Sequence, residues 1–253
     1  MDNCNFKHIT ELKQKIDSYR PLNQDELMKI RDMERTYHIH SSNALEGNTL
    51  TLYETRMILE TGVTIAGKPL KEHLEVLNLA YAYDYVEELA QSKQALTERE
   101  LLEVHSLVYS KLGEKNASGR YRIIDVWITG SAYTPPSSLQ IRELMEDFFK
   151  WSDTAQNTLH PVEYAALLHE KFVTIHPFVD GNGRTACLIL NFALIRHGYL
   201  PIFIKHDNES RTRYNKALEH AQITGDTSQF VSIIAERVEE KLQERLEILK
   251  RSC

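Results

Sequence analysis

The stretch "HPVEYAALLHEKFVTIHPFVDGNGRTACLILNFALIRHG", residues 160–198, decides the fold. It opens on His160-Pro161, and proline suits the first helical position because the N–H it lacks has no intrahelical partner there. "VEYAALLHEKFVTI" then carries an apolar stripe. "RTACLILNFALIRHG" is apolar almost throughout after Arg184, the mark of a central buried helix, and Gly198 supplies its end. Between the two helices lies "HPFVDGNGR", 176–184, a loop too rich in polar groups and glycine to be part of either.

Outward from this pair the chain reads as helices. "ITELKQKIDSY" (9–19) and "QDELMKIRDMERTYHI" (24–39) mix charged and apolar residues as surface-packed helices do. "TLYETRMILETG" (51–62) ends on Gly62, a helix C-cap. "KEHLEVLNLAYAYDYVEELAQS" (71–92) sets Leu74, Leu77, Leu79, Ala80, Tyr83, Val86 and Leu89 on an apolar face. Thr97 and Glu100 have the spacing of a capping box, opening a helix that runs toward Gly113. Two amphipathic helices are expected at 209–223 and 227–250. The exception is "YRIIDVWITGSAYTPPSS" (121–138), whose β-branched and aromatic residues, turn and prolines predict a short β-hairpin or extended flap. The expected architecture is all-α with one small hairpin. No repeat or low-complexity tract interrupts it.

With 253 residues the chain can bury a large core, and its 42% hydrophobic and 26% charged content is ordinary for a globular protein. A net charge of −6 gives no general attraction to nucleic acid or anionic membrane, so any phosphate must be held by a local site. Cys4, Cys187 and Cys253 are odd in number and widely spaced, which suits a reducing compartment. No run near the N-terminus has the length of a signal peptide, and none approaches a membrane span. The expectation is a cytoplasmic protein.

The loop at 176–184 has the parts of a phosphate site. Gly181 and Gly183 bracket Asn182 where loop becomes helix, so backbone N–H groups can curl around an anion at the positive end of the helix dipole. Arg184 in the first turn can add a charge-assisted contact. Asp180 would repel a phosphate unless a divalent cation lay between, and Mg²⁺ held by one carboxylate plus phosphate oxygens fits. His176, at the end of the preceding helix, can act as a general base on an incoming hydroxyl. A histidine near a glycine turn is by itself usually structural; the combination in register argues for phosphoryl or nucleotidyl transfer. Phe178 reads as a core anchor for the loop.

"HPFVDGNGR" resembles the signature of Fic-domain proteins, His-x-Phe-x-Asp/Glu-Gly-Asn-Gly-Arg-x-x-Arg, and "GRYR" (119–122), "TGSAYTPP" (129–136) and "YNKALEHAQITGD" (214–226) also resemble segments of that family. The resemblance implies a Fic-fold helical bundle, with residues 1–96 as an N-terminal extension, 97–225 as the core and 226–253 as a C-terminal helix. It implies an enzyme that transfers AMP from Mg·ATP to a Ser, Thr or Tyr hydroxyl of a target protein. His176 would be the base and Asp180 the Mg²⁺ ligand. Gly181, Asn182, Gly183, Arg184 and the neighbouring Thr185 would surround the phosphates. Thr129, Gly130, Ser131 and Ala132 would cover the nucleotide and align the target strand, and Tyr214, Asn215 and Gln222 would border the adenine. For Tyr214, ordinary core packing is an equal alternative. A homodimer is left open.

"SSNALEGN" (41–48) matches the Ser/Thr-x-x-x-Glu-Gly inhibitory element of the same family, which implies a regulatory pair, Ser42 and Glu46. In the family this glutamate meets the last arginine of the signature and blocks the γ-phosphate. Here that position is Cys187, three residues after Arg184 and on the same helix face. Cysteine offers no guanidinium. The latch and the γ-phosphate both lose a partner, and a charged hydrogen-bond partner is typically worth on the order of 1.5–3 kcal/mol. Three catalytic readings stay open: AMP transfer with Arg184 and Mg²⁺ alone or with a basic residue from elsewhere, removal of AMP from a modified protein, or use of another nucleotide donor. A non-catalytic binding module on the same fold is a rival, and so is a kinase of the Doc type, although the Gly-Asn-Gly turn argues against the latter. As a side chain, Cys187 reads as a small buried hydrophobe.

Overall fold

The computed structural model describes residues 4–19, 24–92, 94–112 and 117–252. The expected helix end at Gly113 and the cysteine at 253 lie outside the described residues. The elements are α1 (Cys4–Ser18), α2 (Gln24–Leu45), α3 (Leu52–Thr61), α4 (Leu70–Gln91), α5 (Glu98–Val108), a 3₁₀ turn at Ser138–Gln140, α6 (Ile141–Thr158), α7 (Pro161–Ile175), α8 (Asn182–Arg196), α9 (Asn208–Thr224) and α10 (Ser228–Ser252). Among the described residues there is no strand, and no helix is long and apolar enough to cross a membrane.

α8 is the axle. Ala186, Leu188, Ile189, Leu190, Phe192, Ala193 and Leu194 are all within 1% of full burial, as an apolar sequence without a polar face requires. α7 packs along it most extensively, and α4, α5 and α2 also flank it. α10 braces the other side of α7 and packs on α1 and α9. Helix α7 begins as its sequence implies, with Pro161 in the first turn and the His160 ring accepting the Val162 N–H. α3 is closed at both ends: Thr51 and Glu54 form a capping box, and Gly62 takes the left-handed conformation (φ 70°) after its last turn.

Charged side chains fix the outer helix α2. Arg35 makes a two-pronged pair with Asp84 on α4 (2.6 and 2.7 Å), and Arg31 pairs with Glu87 one turn on. On its other side Glu34, largely buried, receives both Lys241 (3.1 Å) and Arg245 (2.9 Å) from α10. α2 runs on to Leu45, so the Ser42–Glu46 element sits at its end.

Two expectations fail. Thr97 stands at the N-cap of α5, but its side chain caps nothing; the acidic first turn, Glu98 and Glu100, complements the helix dipole instead. Residues 121–138 form no β-hairpin. A single turn closes between the Ser131 N–H and Ile128 C=O (3.1 Å), while the polar groups on either side are spent elsewhere. The Arg122 N–H goes to Pro177 C=O, the Ala132 N–H goes to Glu219, and Pro135 and Pro136 have none to give. The segment is an extended flap tied to its surroundings.

Three buried histidines, His38, His105 and His169, are each held at a pKa of about 4, chiefly by burial. A folded-state value below the unfolded one means the unfolded chain takes up protons first. Their contribution is therefore whole above about pH 6.5 and is lost as pH falls toward 4, at most about 3 kcal/mol per ring. Urea denaturation at pH 7 and 4.5 is expected to give a clearly lower stability at the acid value. Replacing His169, fully buried, by Gln should flatten that dependence.

Candidate active site

α7 ends in a strained residue. His176 is left-handed (φ 53°, ψ 56°) while its N–H still closes the last turn on Phe172 C=O (3.0 Å). A side chain in that region costs roughly 1–2 kcal/mol, and histidine is one of the residues that tolerate it. The Nδ1 of His176 lies 3.3 Å from Val173 C=O, so Nδ1 carries the proton and Nε2 keeps its lone pair. Burial lowers the ring's pKa to about 4, against the pull of that hydrogen bond and with a further push down from the charge of Arg122. At neutral pH it is an unprotonated base.

The loop that follows is fastened from inside. Asn182 accepts the Phe178 N–H at 3.0 Å and donates to Phe178 C=O at 2.9 Å. Phe178, fully buried, stacks face to face on His105 of α5 with centroids 3.6 Å apart. The Nδ1 of His105 accepts the Gly119 N–H (3.0 Å), which leaves Nε2–H to donate to Asp180 C=O (2.9 Å). Gly181 is left-handed (φ 80°) at the N-cap of α8, and a Cβ there would press on the His105 ring.

Arg122 ties the flap to this loop. Its guanidinium, 2% exposed, donates to the backbone carbonyls of His176 (2.8 Å), Ile124 (2.9 Å) and Pro136. On the far side Glu219 of α9 accepts from both Ser131 Oγ (2.9 Å) and the Ala132 N–H (2.6 Å).

These elements enclose a cleft of about 760 Å³, the size of a small-molecule site. Of the residues singled out in the sequence, His176, Asp180, Gly181, Asn182, Gly183, Cys187, Ser42, Glu46, Thr129, Gly130, Ser131, Tyr214, Asn215 and Gln222 line it. Arg184, Thr185 and Ala132 do not. Arg184 is 3% exposed and lies between Glu75 of α4 (3.5 Å) and Asp180 (3.4 Å), with Nε lacking a hydrogen-bond partner. Thr185 is fully buried. Tyr214 packs in the core, its hydroxyl 2.7 Å from His169 Nε2, and also borders the cleft. The Asn182 side chain spends one N–H and one lone pair on Phe178.

Glu46 lies across the start of α8. A side chain at position 183 would collide with its carboxylate, so glycine is what lets the two approach. The residue keeps solvent contact over its length, but its carboxyl group is packed well enough that burial raises its pKa, against the pull of Arg184 and with a further push from Asp180 and Glu75. Cys187 is 8% exposed, and burial and then Glu46 push its thiol up to about 12. It is protonated, unreactive and uncharged, the small hydrophobe the sequence suggests. Ser42 lies against it but makes no formed hydrogen bond.

Among the described residues no three His, Cys, Asp or Glu side chains converge as a metal cage. Asp180 fits a different kind of site. Its side chain is half exposed in the cleft, with Oδ1 taken by the Gly181 N–H (2.6 Å) and Arg184. One carboxylate completed by phosphate oxygens and water is how Mg²⁺ is commonly held beside a nucleotide.

Residues 95–194 match the Fic/DOC family model. A Glu-to-Gly variant of Fic-1 from C. elegans superposes with a TM-score of 0.84 at 32% identity, covering 100% of this chain and 74% of that one. This chain belongs to the Fic/DOC family. A Fic domain containing signaling protein from Bacteroides thetaiotaomicron superposes with a TM-score of 0.86 at 27% identity over 97% of this chain and 98% of its own. The protein adenylyltransferase Fic of Drosophila grimshawi is 36% identical over 239 residues, which are 93% of this chain and 48% of the relative. The chain thus spans about half the length of the curated relatives it matches.

Within this Fic/DOC site, His105, Glu75, Glu219 and His169 escape sequence reasoning. Each has a partner in the site 45 or more residues away, and only a signal linking distant positions could have found them. Arg122 is the one with the most attachments. Arg122→Ala strands three carbonyls and should cost about 2–4 kcal/mol in urea denaturation. The exposed neighbour substitution Arg120→Ala should cost less than 0.5 kcal/mol. Equal losses for the two would mean that the flap does not depend on Arg122.

Proposed function

We propose that this chain is a protein adenylyltransferase, transferring AMP from ATP to a hydroxyl of a target protein under restraint by Glu46. One observation carries the reading: a single cleft brings the unprotonated His176, the acid Asp180, the N-terminus of α8 and the Glu46 carboxylate together. In this reading the nucleotide's phosphates rest on the backbone N–H groups that open α8, where the dipole and unsatisfied donors favour anions. A Mg²⁺ ion at Asp180 would offset phosphate charge as the transfer proceeds. The target strand lies along 129–136 and presents its hydroxyl to His176 Nε2. Nε2 takes the proton, the oxygen forms a bond to the α-phosphorus, and the bond to pyrophosphate breaks. Asn215 and Gln222 border the base. Residues 1–96 regulate, 97–225 hold the reaction, and 226–253 brace the fold.

Removal of AMP from a modified target is favoured by a separate observation. The Glu46 carboxylate reaches the cleft with a raised pKa and without an arginine at 187, so it is placed to hold a water.

Intact-protein mass spectrometry after incubation with Mg·ATP distinguishes these. Glu46→Gly is expected to gain AMP-sized mass at least tenfold faster than the parent chain, and Glu46→Gly/His176→Ala none. If Glu46→Gly gains nothing while the parent chain strips AMP from a pre-modified protein, the second reading replaces the first.

A further inference from the structure

α9 carries a cation that the signature does not include. Arg211, Asn215, Leu218 and Gln222 stand at i, i+4, i+7 and i+11, one stripe of a helix. The last three line the cleft. Arg211 therefore occupies the same stripe at its N-terminal end, one turn before Asn215. Its neighbours in sequence, Thr212 and Tyr214, are at the cleft wall as well. The Glu46 carboxyl, which lies across the start of α8, feels the guanidinium of Arg211 among its neighbouring charges. The residue is exposed, and among the described residues no carboxylate stands within ion-pair distance of it.

Of the other cations nearby, Lys216 lines the cleft on the stripe it shares with Thr212 and Glu219, the side of α9 that meets Ser131 and Ala132 of the flap, and the arginines are held elsewhere. Arg184 is buried between Glu75 and Asp180, Arg122 is consumed by three carbonyls, and Arg213 is bound in a fork to Glu236 on α10 (2.7 and 2.8 Å). Position 187, which faces the cleft, supplies a neutral thiol. A triphosphate whose α-phosphate is near His176 extends its terminal, most highly charged group away from the base, toward Glu46. An arginine on a long, free stem is what that end of the cleft has to offer.

We propose that Arg211 supplies from α9 the positive charge that Cys187 cannot, facing Glu46 at rest and the terminal phosphate when a nucleoside triphosphate is bound. The inference rests on the adenylyltransferase reading, and it makes the latch a contest between two anions for one guanidinium. It also makes Arg211 specific for the length of the phosphate chain, since a nucleoside monophosphate does not reach it.

The test is calorimetric titration of Mg·AMPPNP and of AMP into four chains: Glu46→Gly, and the same with Arg211→Ala, with Arg211→Lys, and with Arg211→Ala/Cys187→Arg. Arg211→Ala is expected to weaken AMPPNP about ten- to a hundredfold and AMP less than twofold. Lysine should retain part of the affinity, and arginine at 187 should restore most of it. Equal AMPPNP affinity with and without Arg211, or equal losses for AMPPNP and AMP, overturns the proposal and leaves the adenylyltransferase reading standing. If neither nucleotide binds Glu46→Gly, that reading falls and the role of Arg211 falls with it. Unchanged unfolding midpoints are expected, because the side chain is exposed and unpaired.

Discussion

The active-site loop depends on one carboxamide. Asn182 accepts from and donates to the same residue, Phe178, four positions earlier, and so closes the loop between α7 and α8 as a ring. With the amide gone, a buried N–H and a buried C=O would be left unmatched, at roughly 1–3 kcal/mol each. The ring fixes the distance from His176 to the first turn of α8, and with it the relation between a base and an anion-binding helix end. The other ties act through it. His105 holds its aromatic member from below, and Arg122 holds its first carbonyl from the side.

Much of this was legible in the sequence because it is local. Helix α8 announces itself by apolar residues on every face, α7 by His160-Pro161, and the loop by its glycines. His176, Asp180 and the glycines end up in one cleft because fewer than a dozen residues separate them. The hairpin misreading also has a physical cause. The composition of 121–138 favours extended backbone, and extended backbone is what forms; whether it pairs with itself is decided by distant partners, Pro177 and Glu219, that composition does not encode. Sequence gives no sign that Glu75, more than a hundred residues earlier, stands 3.5 Å from Arg184. Nor does it show the Asn182 side chain bonded to Phe178.

Cys187 changes the balance of charge in the cleft without disturbing the packing around it. A thiol fits a buried helix position that an arginine could occupy only by reaching out of it. The cleft is left with more acid than base within reach: Glu46 and Asp180 line it, Glu75 lies behind, and Arg184 is shared between the last two. Burial raises the pKa of Glu46, Arg184 pulls against it, and Asp180 and Glu75 push the same way as burial. Any anion entering the cleft meets this field before it meets any single residue.

The anchoring of α2 has a mechanical consequence. Glu34, gripped by Lys241 and Arg245, lies twelve residues before Glu46, about 18 Å along a rigid helix at 1.5 Å per residue. The helix is a lever with its pivot near α10 and its tip at the cleft. A tilt of about 5° at the pivot displaces the tip by roughly 1.6 Å, more than a hydrogen bond can absorb. The placement of the Glu46 carboxylate thus depends in part on a clasp of three charges that never touches the cleft, together with the nearer tie of Ser41, whose hydroxyl donates to Ile204 C=O at 2.9 Å.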